Sequence, residues 1–565
     1  MSSARPLAVH LAASSDEELD ALLRARGARA DATWNDFFDA AEWLLDPGSV
    51  ERALSTLTRS EAATLLSVAA GEGAGPHRSA LVALALLDAD GRVPAAVASV
   101  MSARAAVTAT TGAPPPPAAD AESARAAERA SATVSGIADL LLTARRTPLT
   151  LVASGALSAG ERRRLSDAGL EGEIVDELRA LAGMAGLAVS DERVLLLTRA
   201  ADTWLSASFA QRWSTLVSAF RDTLPRGIRD GDGWLPLADW DGAHPWDSAW
   251  PARSTDLRAQ ALLLGLLTPA GTEPVWTTAV REGRPVDASS LGALLPSEVD
   301  RVFLQNDLTA IAPGPLQPAL DNRLRAMSEH DSAQASSYRF TAESIAHALV
   351  EGETEQSITA FLAGVSLTGI PQPLTYLIAQ AASRHGLVRV ALYDGGGTRV
   401  TSADAALLAA IEVDRGLRPL GLMREDDALI TRVGAETVAW ALSDGRYPAT
   451  LVDADGNPVP AHRRRPVSGA GAGTVEVSYA PLIARLREHQ RTDSDAAWLD
   501  RELDAAVRNR AVLRVEVAMP DGSSRELLLE ASGLGGGRLR GRDRAADVER
   551  TLPVRSILSV QIVTD

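Results

Sequence analysis

Residues 371–402 read PQPLTYLIAQAASRHGLVRVALYDGGGTRVTS, and they set the parsing of the whole chain. Proline near the start and Gly386 at the end give residues 373–385 the asymmetry expected of a helix. Residues 387–392 and 398–401, joined by the turn 394–397, predict a strand–turn–strand. Two more helices precede this unit, at 341–350 and 354–362. The same order recurs at Gly186, where 186–189, a turn at 190–193 and 194–198 read as a hairpin behind helices at 158–165 and 171–184. It recurs near Leu87, where an apolar helix over 79–87 runs into Asp88-Ala89-Asp90-Gly91-Arg92-Val93, turn chemistry that suits a tight hairpin. Short helices closed by a β wing are the pattern of a winged helix. The copies share the order of elements, with little residue identity.

Working outward, the chain divides into seven segments. Residues 1–111 are a helical, winged-helix-like unit, in which Ser15 with Glu18 and Thr58 with Glu61 match capping boxes. Residues 112–133 read as a linker, because the four prolines 114–117 lack a donor N–H and favour an extended chain, with the Ala/Glu/Arg stretch after them able to turn helical by about Glu122. Residues 134–222 form the second winged-helix-like unit. Residues 223–297 form a connecting module with Trp234, Trp240, Trp246, Trp250 and Trp276. Such rings either stack on bases or pack a small proline-broken module. Asp230, Asp232, Asp239, Asp241 and Asp247 stand among them and would repel phosphates, so packing is expected. Residues 298–460 form a mixed domain with a strand at 302–305, three helices, the hairpin above and a fourth turn pair at 420–423 and 428–431. Residues 461–475 are an Arg/Gly-rich loop. Residues 476–565 hold two helices and about five short strands, the pattern of a small barrel of SH3 or Sm type. The expected fold class is α+β, multi-domain.

Composition narrows the chemistry. The 565 residues contain no cysteine, which excludes disulfides, thiolate metal sites and cysteine nucleophiles. They also contain no lysine, since all 56 basic residues are arginine. A phosphate-loop lysine, a kinase-type lysine and a Schiff base are therefore all excluded. No stretch of about 20 apolar residues is present, so no membrane span is expected. The first residues do not read as a signal peptide, and a cytoplasmic location is the expectation. The eight histidines never fall at metal-ligand spacing, so neither a metal nor a cofactor is expected. Ser366 in Gly364-Val365-Ser366-Leu367-Thr368-Gly369 misses nucleophile-elbow spacing by one residue. Asp453-Ala454-Asp455-Gly456-Asn457 lacks the later carboxylates of a calcium loop and reads as a hairpin turn. The chain is expected to be no enzyme.

Net charge is −17, which argues against a surface that grips nucleic acid throughout. Its distribution is uneven: only residues 461–565, with 17 arginines against 15 acids, are not acidic. The second helix of the 134–222 unit carries Glu171, Glu173, Asp176 and Glu177 against Arg179, which is repulsive to phosphate, and Arg162, Arg163 and Arg164 before it face acidic neighbours. In the third unit Arg384 and His385 end the helix, and Arg389 and Arg399 lie on the wing. The strongest basic candidates follow: Arg463, Arg464 and Arg465 on the loop, Arg508 and Arg510 before the strands, and Arg538, Arg540, Arg542 and Arg544 on one hairpin. Alternation puts the last four on one strand face. There they either fork onto phosphates or form a solvated face balanced by Asp543, Asp547 and Glu549.

Two stretches carry a family resemblance. VFLQNDLTAIAPGPL at 302–316 and YRFTAESIAHALVEGETEQSITAFLAGVSLTGIPQPLTYLIAQAASRHG at 338–386 resemble the helicase-associated domain in the N-terminal, non-motor part of XPB-type helicases. In bacteria that domain also occurs in stand-alone proteins without a motor. Asp202-Thr203-Trp204-Leu205 with Arg212-Trp213 is similar to the region upstream of it. Residues 504–560 resemble a WYL domain, an Sm-like barrel of bacterial regulators, through the A-x-R-N-R entry and the R-D-R after the turn. Where the name-giving Trp-Tyr-Leu would stand, this chain has Arg538-Leu539-Arg540.

The resemblance implies a role in DNA repair, transcription or helicase partnership. It does not imply motor activity, because the matching part is not the motor. The expected function is a non-catalytic, DNA-associated accessory or regulatory protein whose partner is a helicase or a repair or transcription factor. The alternatives are a ligand-responsive WYL-type transcriptional regulator and a purely protein-binding scaffold.

Overall fold

The computed structural model of the chain describes residues 4–563 except 73–74, 108–111, 168, 171, 332–336, 394–395, 462–476, 491–493 and 520–522. Five hydrophobic cores organise the described residues.

The first core gathers the helices Arg5–Ala13, Asp16–Ala25, Phe37–Leu45, Pro47–Ser55 and Arg59–Ala69. Both capping boxes form: Glu18 N–H donates to Ser15 Oγ at 3.2 Å while the Glu18 carboxylate accepts from Ser15 N–H at 2.8 Å, and Thr58 with Glu61 repeats the exchange. Arg26 lies buried in the middle, donating to the carbonyls of Leu44 at 2.6 Å and Leu84 at 2.8 Å and to Ser49 Oγ at 2.9 Å. Burial and then the charge of Arg52 push its pKa down to about 10. The hairpin expected at 88–93 is absent. The chain there makes a turn closed by Asp88 N–H on the Arg92 carbonyl at 2.9 Å, and Pro94 then opens the helix Ala95–Met101. A proline at that point removes the donor that a second strand would need. The helix Ala480–Gln490, far along the sequence, also belongs to this core through Tyr479, Leu482, Ile483 and Leu486. Tyr479 Oη donates to the Ala28 carbonyl at 2.8 Å.

The second core is built on the 27-residue helix Asp120–Arg146. That helix starts inside the stretch read as linker, because Asp120 and Glu122 favour its positive N-terminal end. The prolines before it run beside Glu273, whose N–H donates to the Pro116 carbonyl at 3.1 Å. Then follow the strand Leu149–Thr150, the helices Ala159–Asp167 and Val175–Met184, and the strands Ala188–Asp191 and Val194–Leu197. The last strand pairs with both others, antiparallel. Glu192 and Arg193, both at positive φ, close the two-residue turn. Trp234, Trp240, Trp250 and Trp276 are buried in this core and Trp246 in the first. Four of the five indole N–H groups are spent on backbone carbonyls: Trp240 on Leu235 at 2.9 Å, Trp250 on Trp240 at 2.6 Å, Trp276 on Gly265 at 2.9 Å, and Trp246 on Ala105 at 3.2 Å. The rings pack as expected and leave no stacking platform.

The third core joins a four-stranded sheet (Phe303–Leu304, Thr309–Ile311, Ser337–Arg339, Glu329–Asp331, in that spatial order) to the helices Pro318–Met327, Ala342–Val350, Glu355–Val365 and Gln372–Arg384. The fourth core lies behind a six-stranded sheet. Its centre is the hairpin Val388–Tyr393 with Gly397–Ser402. Ala428–Thr431 pairs antiparallel on one side, and Ala449–Val452 runs parallel on the other. Val388, Val390 and Val400 point into the core, which turns Arg389, Ala391, Arg399 and Thr401 to the other face.

The C-terminal strands Val512–Ala518, Ser524–Gly535, Arg538–Asp543, Val548–Pro553 and Ile557–Val563 form one antiparallel sheet. It is not the closed barrel expected. Val548–Pro553 and Ile557–Val563 are its two edges, and no ladder joins them among the described residues. They are consecutive in sequence, linked by the short turn Val554–Ser556, so the sheet must coil strongly for so short a connection to span its edges.

Candidate nucleic-acid interface

The helix Gln372–Arg384 buries Leu374 and Ile378 against the third core. Residues three and four apart share a helix face, so the opposite side is set by the same spacing. That side presents Gln372, Thr375, Tyr376, Gln380, Ser383 and Arg384, all exposed, with Tyr376 at 68%. Gly386, at φ +83°, ends the helix and turns the chain into the hairpin. Residues 367–393 contain no aspartate or glutamate, in a chain with 73 of them. Helix, turn and first wing strand therefore contribute no carboxylate of their own on an acidic protein, and the acids Glu329 and Glu343 of neighbouring elements line the cleft beside Gln380 and Arg384. The exposed hydroxyls, amides and guanidinium of the helix are the donors that read base edges and phosphates.

The structure sorts the cationic candidates by partner. Arg384 and Arg389 are exposed, and neither has a partner among the described residues. Arg399 shares the outer face with Arg389 but donates to Asp427 Oδ1 at 3.0 Å. His385 leaves the cationic set: its Nε2 lies 2.6 Å from Thr450 Oγ1, and burial pushes its pKa down.

In the second unit the basic run is neutralised in part. Arg162 lies 3.4 Å from Asp176 and Arg164 2.8 Å from Glu161. Asp176 also faces Arg179 at 3.6 Å and accepts from Leu157 N–H at 2.9 Å. Of this unit's acidic side chains, Asp176 and Glu161 thus serve local structure; Glu171 lies outside the described residues.

On the C-terminal sheet, Arg538, Arg540, Arg542 and Arg544 are exposed while Leu539, Gly541 and Asp543 turn inward. Arg542 pairs with Asp547 at 2.7 Å and Arg544 approaches Glu530 at 3.7 Å. Asp543 does not balance the face; it is buried and held by Arg550 at 2.6 Å. Arg538 lies between Gly535 and Pro553, and Arg540 between Gly533 and Thr551. Neither has a charged cross-strand neighbour, and neither has a partner among the described residues. Arg508, the last residue of the helix Ser494–Arg508, and Arg510 just beyond it are exposed, and the charge of Arg508 acts on Glu42. Arg463, Arg464 and Arg465 lie outside the described residues.

The polar set Gln372, Thr375, Tyr376, Gln380 and Ser383 was not among the sequence candidates. The absence of acids over 367–393 is the signal that would have found it. Among the described residues there is no group of three His, Asp or Glu side chains that could hold a metal. No helix among them is long and apolar enough to cross a membrane.

Residues 302–426 match the family model of the helicase conserved C-terminal domain. The match takes in the acid-free helix and the hairpin Val388–Tyr393 with Gly397–Ser402, and ends just after the strand Met423–Glu425. It indicates a helicase-associated domain, similar to a C-terminal one, where the sequence pointed to the N-terminal part of XPB-type helicases. No curated protein matches the chain.

Proposed function

We propose that this protein is a non-catalytic accessory or regulatory factor that works on DNA beside a helicase or a repair or transcription complex. The helicase-related domain supplies the association. Its helix Gln372–Arg384 and the wing behind it make the DNA contact. The observation that carries this reading is the acid-free, hydroxyl- and amide-rich stretch over residues 367–393. In this reading the segments 120–198 and 342–402 are winged helices, and the second does the reading while the first, with its acidic second helix, contacts protein. The domain is an XPB-type associated domain, and the C-terminal sheet is a WYL-like module that adds phosphate contacts through Arg538 and Arg540. The chain acts in the cytoplasm, needs no cofactor and turns over no nucleotide, since it has no lysine to hold terminal phosphates.

A labelled duplex titrated with the full chain tests this. Affinity should fall linearly with log salt, by about 0.9 per phosphate contacted. A flat salt response would leave the protein-binding scaffold as the reading. Steady ATP hydrolysis that copurifies with the chain would end the non-catalytic one.

A further inference from the structure

A cleft of about 550 Å³ opens at the C-terminal end of the helix Gln372–Arg384, bounded also by the helix Ala342–Val350 and by residues following Ala435–Asp444. Leu377 and Ala381 form one wall, Ala346 and Val350 the other, and Pro448 the end. Sites for small organic ligands are largely apolar hollows of roughly 300–1,000 Å³ with a few placed polar groups. The cleft has those proportions.

Its charged groups are not equivalent. Glu343 lies 3.6 Å from Arg446, and Glu329 accepts from Thr341 Oγ1 at 3.3 Å. Tyr447 Oη donates to Asp414 at 2.9 Å, and His385 is engaged with Thr450. Arg384 alone among the charged side chains of the cleft has no partner among the described residues. A free guanidinium beside an apolar hollow selects a molecule with an apolar body and an anionic end, because a charge-assisted fork onto a carboxylate or sulfonate is strong and directional.

We propose that this cleft is a binding site for a small amphipathic organic anion, its apolar body between Leu377 and Val350 and its charge on Arg384. Because Gln380 and Arg384 belong to both surfaces, such a ligand competes with DNA. This coupling rests on the DNA reading above; the binding itself does not.

The probe is 8-anilinonaphthalene-1-sulfonate, compared with N-phenyl-1-naphthylamine, the same rings without the sulfonate. Fluorescence titration of the full chain should give one saturable site that prefers the sulfonate about tenfold. R384Q should weaken the sulfonate about tenfold and leave the neutral probe unchanged. Ala342→Trp, at the exposed mouth, should abolish the site for both probes. Ala346→Trp, deeper in, should do the same, with circular dichroism reporting whether either variant folds. Equal affinity for the two probes, or saturable binding that survives Ala342→Trp in a folded chain, overturns the proposal. With a duplex present, the sulfonate should lower DNA affinity in the parent and not in Ala342→Trp. Probe binding with no effect on bound DNA overturns the coupling and leaves the site standing. Absence of DNA binding with normal probe binding counts against the DNA reading alone.

Discussion

Replacing Arg384 and Arg389 together by glutamine removes the two guanidinium groups of the acid-free stretch that have no partner among the described residues. Both side chains are exposed, so the change should leave the fold intact. Each phosphate contact contributes a slope of about 0.9 in log affinity against log salt, so the double variant should lose about 1.8, or ~60-fold in affinity at about 0.1 M salt. The matched control is R542Q/R544Q, which removes the same charge from a face where Asp547 and Glu530 already answer it. An ion-paired arginine gives up one partner to gain another, so this control should leave the slope unchanged. The assay is fluorescence anisotropy of a labelled duplex at several salt concentrations over roughly 50–200 mM. Equal losses in the two double variants would refute the reasoning, since net charge alone would then govern binding.

Further outcomes follow from other sites. R538Q/R540Q should lower the salt slope by about 1.8 in the same assay if the C-terminal sheet adds phosphate contacts. Arg212 is buried, donates to the Trp204 carbonyl at 2.9 Å and to the Leu205 carbonyl, and stacks on the Trp204 ring at 5.1 Å. Arg212→Met removes the side-chain donor of the Leu205 carbonyl and leaves the Trp204 carbonyl only the Ala207 N–H at 3.1 Å, and should cost about 3 kcal/mol in denaturant unfolding, with no change in DNA affinity. His244 is held against the Leu57 carbonyl at 3.1 Å, and burial lowers its pKa from the usual 6.5. The unfolded chain therefore binds more protons once pH falls below about 6.5, so stability should decline from there until the lowered folded pKa is passed. Thermal unfolding compared at about pH 7.5 and about pH 5, on either side of the ordinary histidine range, should show a loss at the lower pH that is smaller in His244→Gln.

What the sequence revealed depended on how local the causes were. The hairpin after Gly386 was legible because a glycine stop, alternating residues and a glycine-rich turn all lie within one short stretch. The helix caps at Ser15 and Thr58 were legible for the same reason. The hairpin at 88–93 failed because turn chemistry says where a chain bends and not whether strands flank the bend, and Pro94 decided against them. The return of Ala480–Gln490 to the first core could not be read, since its partners lie more than four hundred residues away. Barrel closure could not be read either, although its two edge strands are consecutive in sequence, because alternation shows that strands exist and not that a ladder joins them. At the interface, sequence identified the arginines and, five residues from Arg542, named Asp547 as a balancing acid. It did not show that Arg399 meets Asp427 or that Asp543 turns inward to Arg550, and only the fold brings those pairs together. Counting positive residues also overlooked the neutral donors Gln372, Thr375 and Gln380, whose significance lies in the carboxylates missing from their own stretch.

Tyr376 stands exposed on the helix Gln372–Arg384. With a benzophenone amino acid at position 376, irradiation beside a duplex at low salt should yield a covalent protein–DNA adduct that high salt abolishes. Retained duplex binding with no adduct from 376 would contradict the claim that this helix is the surface that touches DNA.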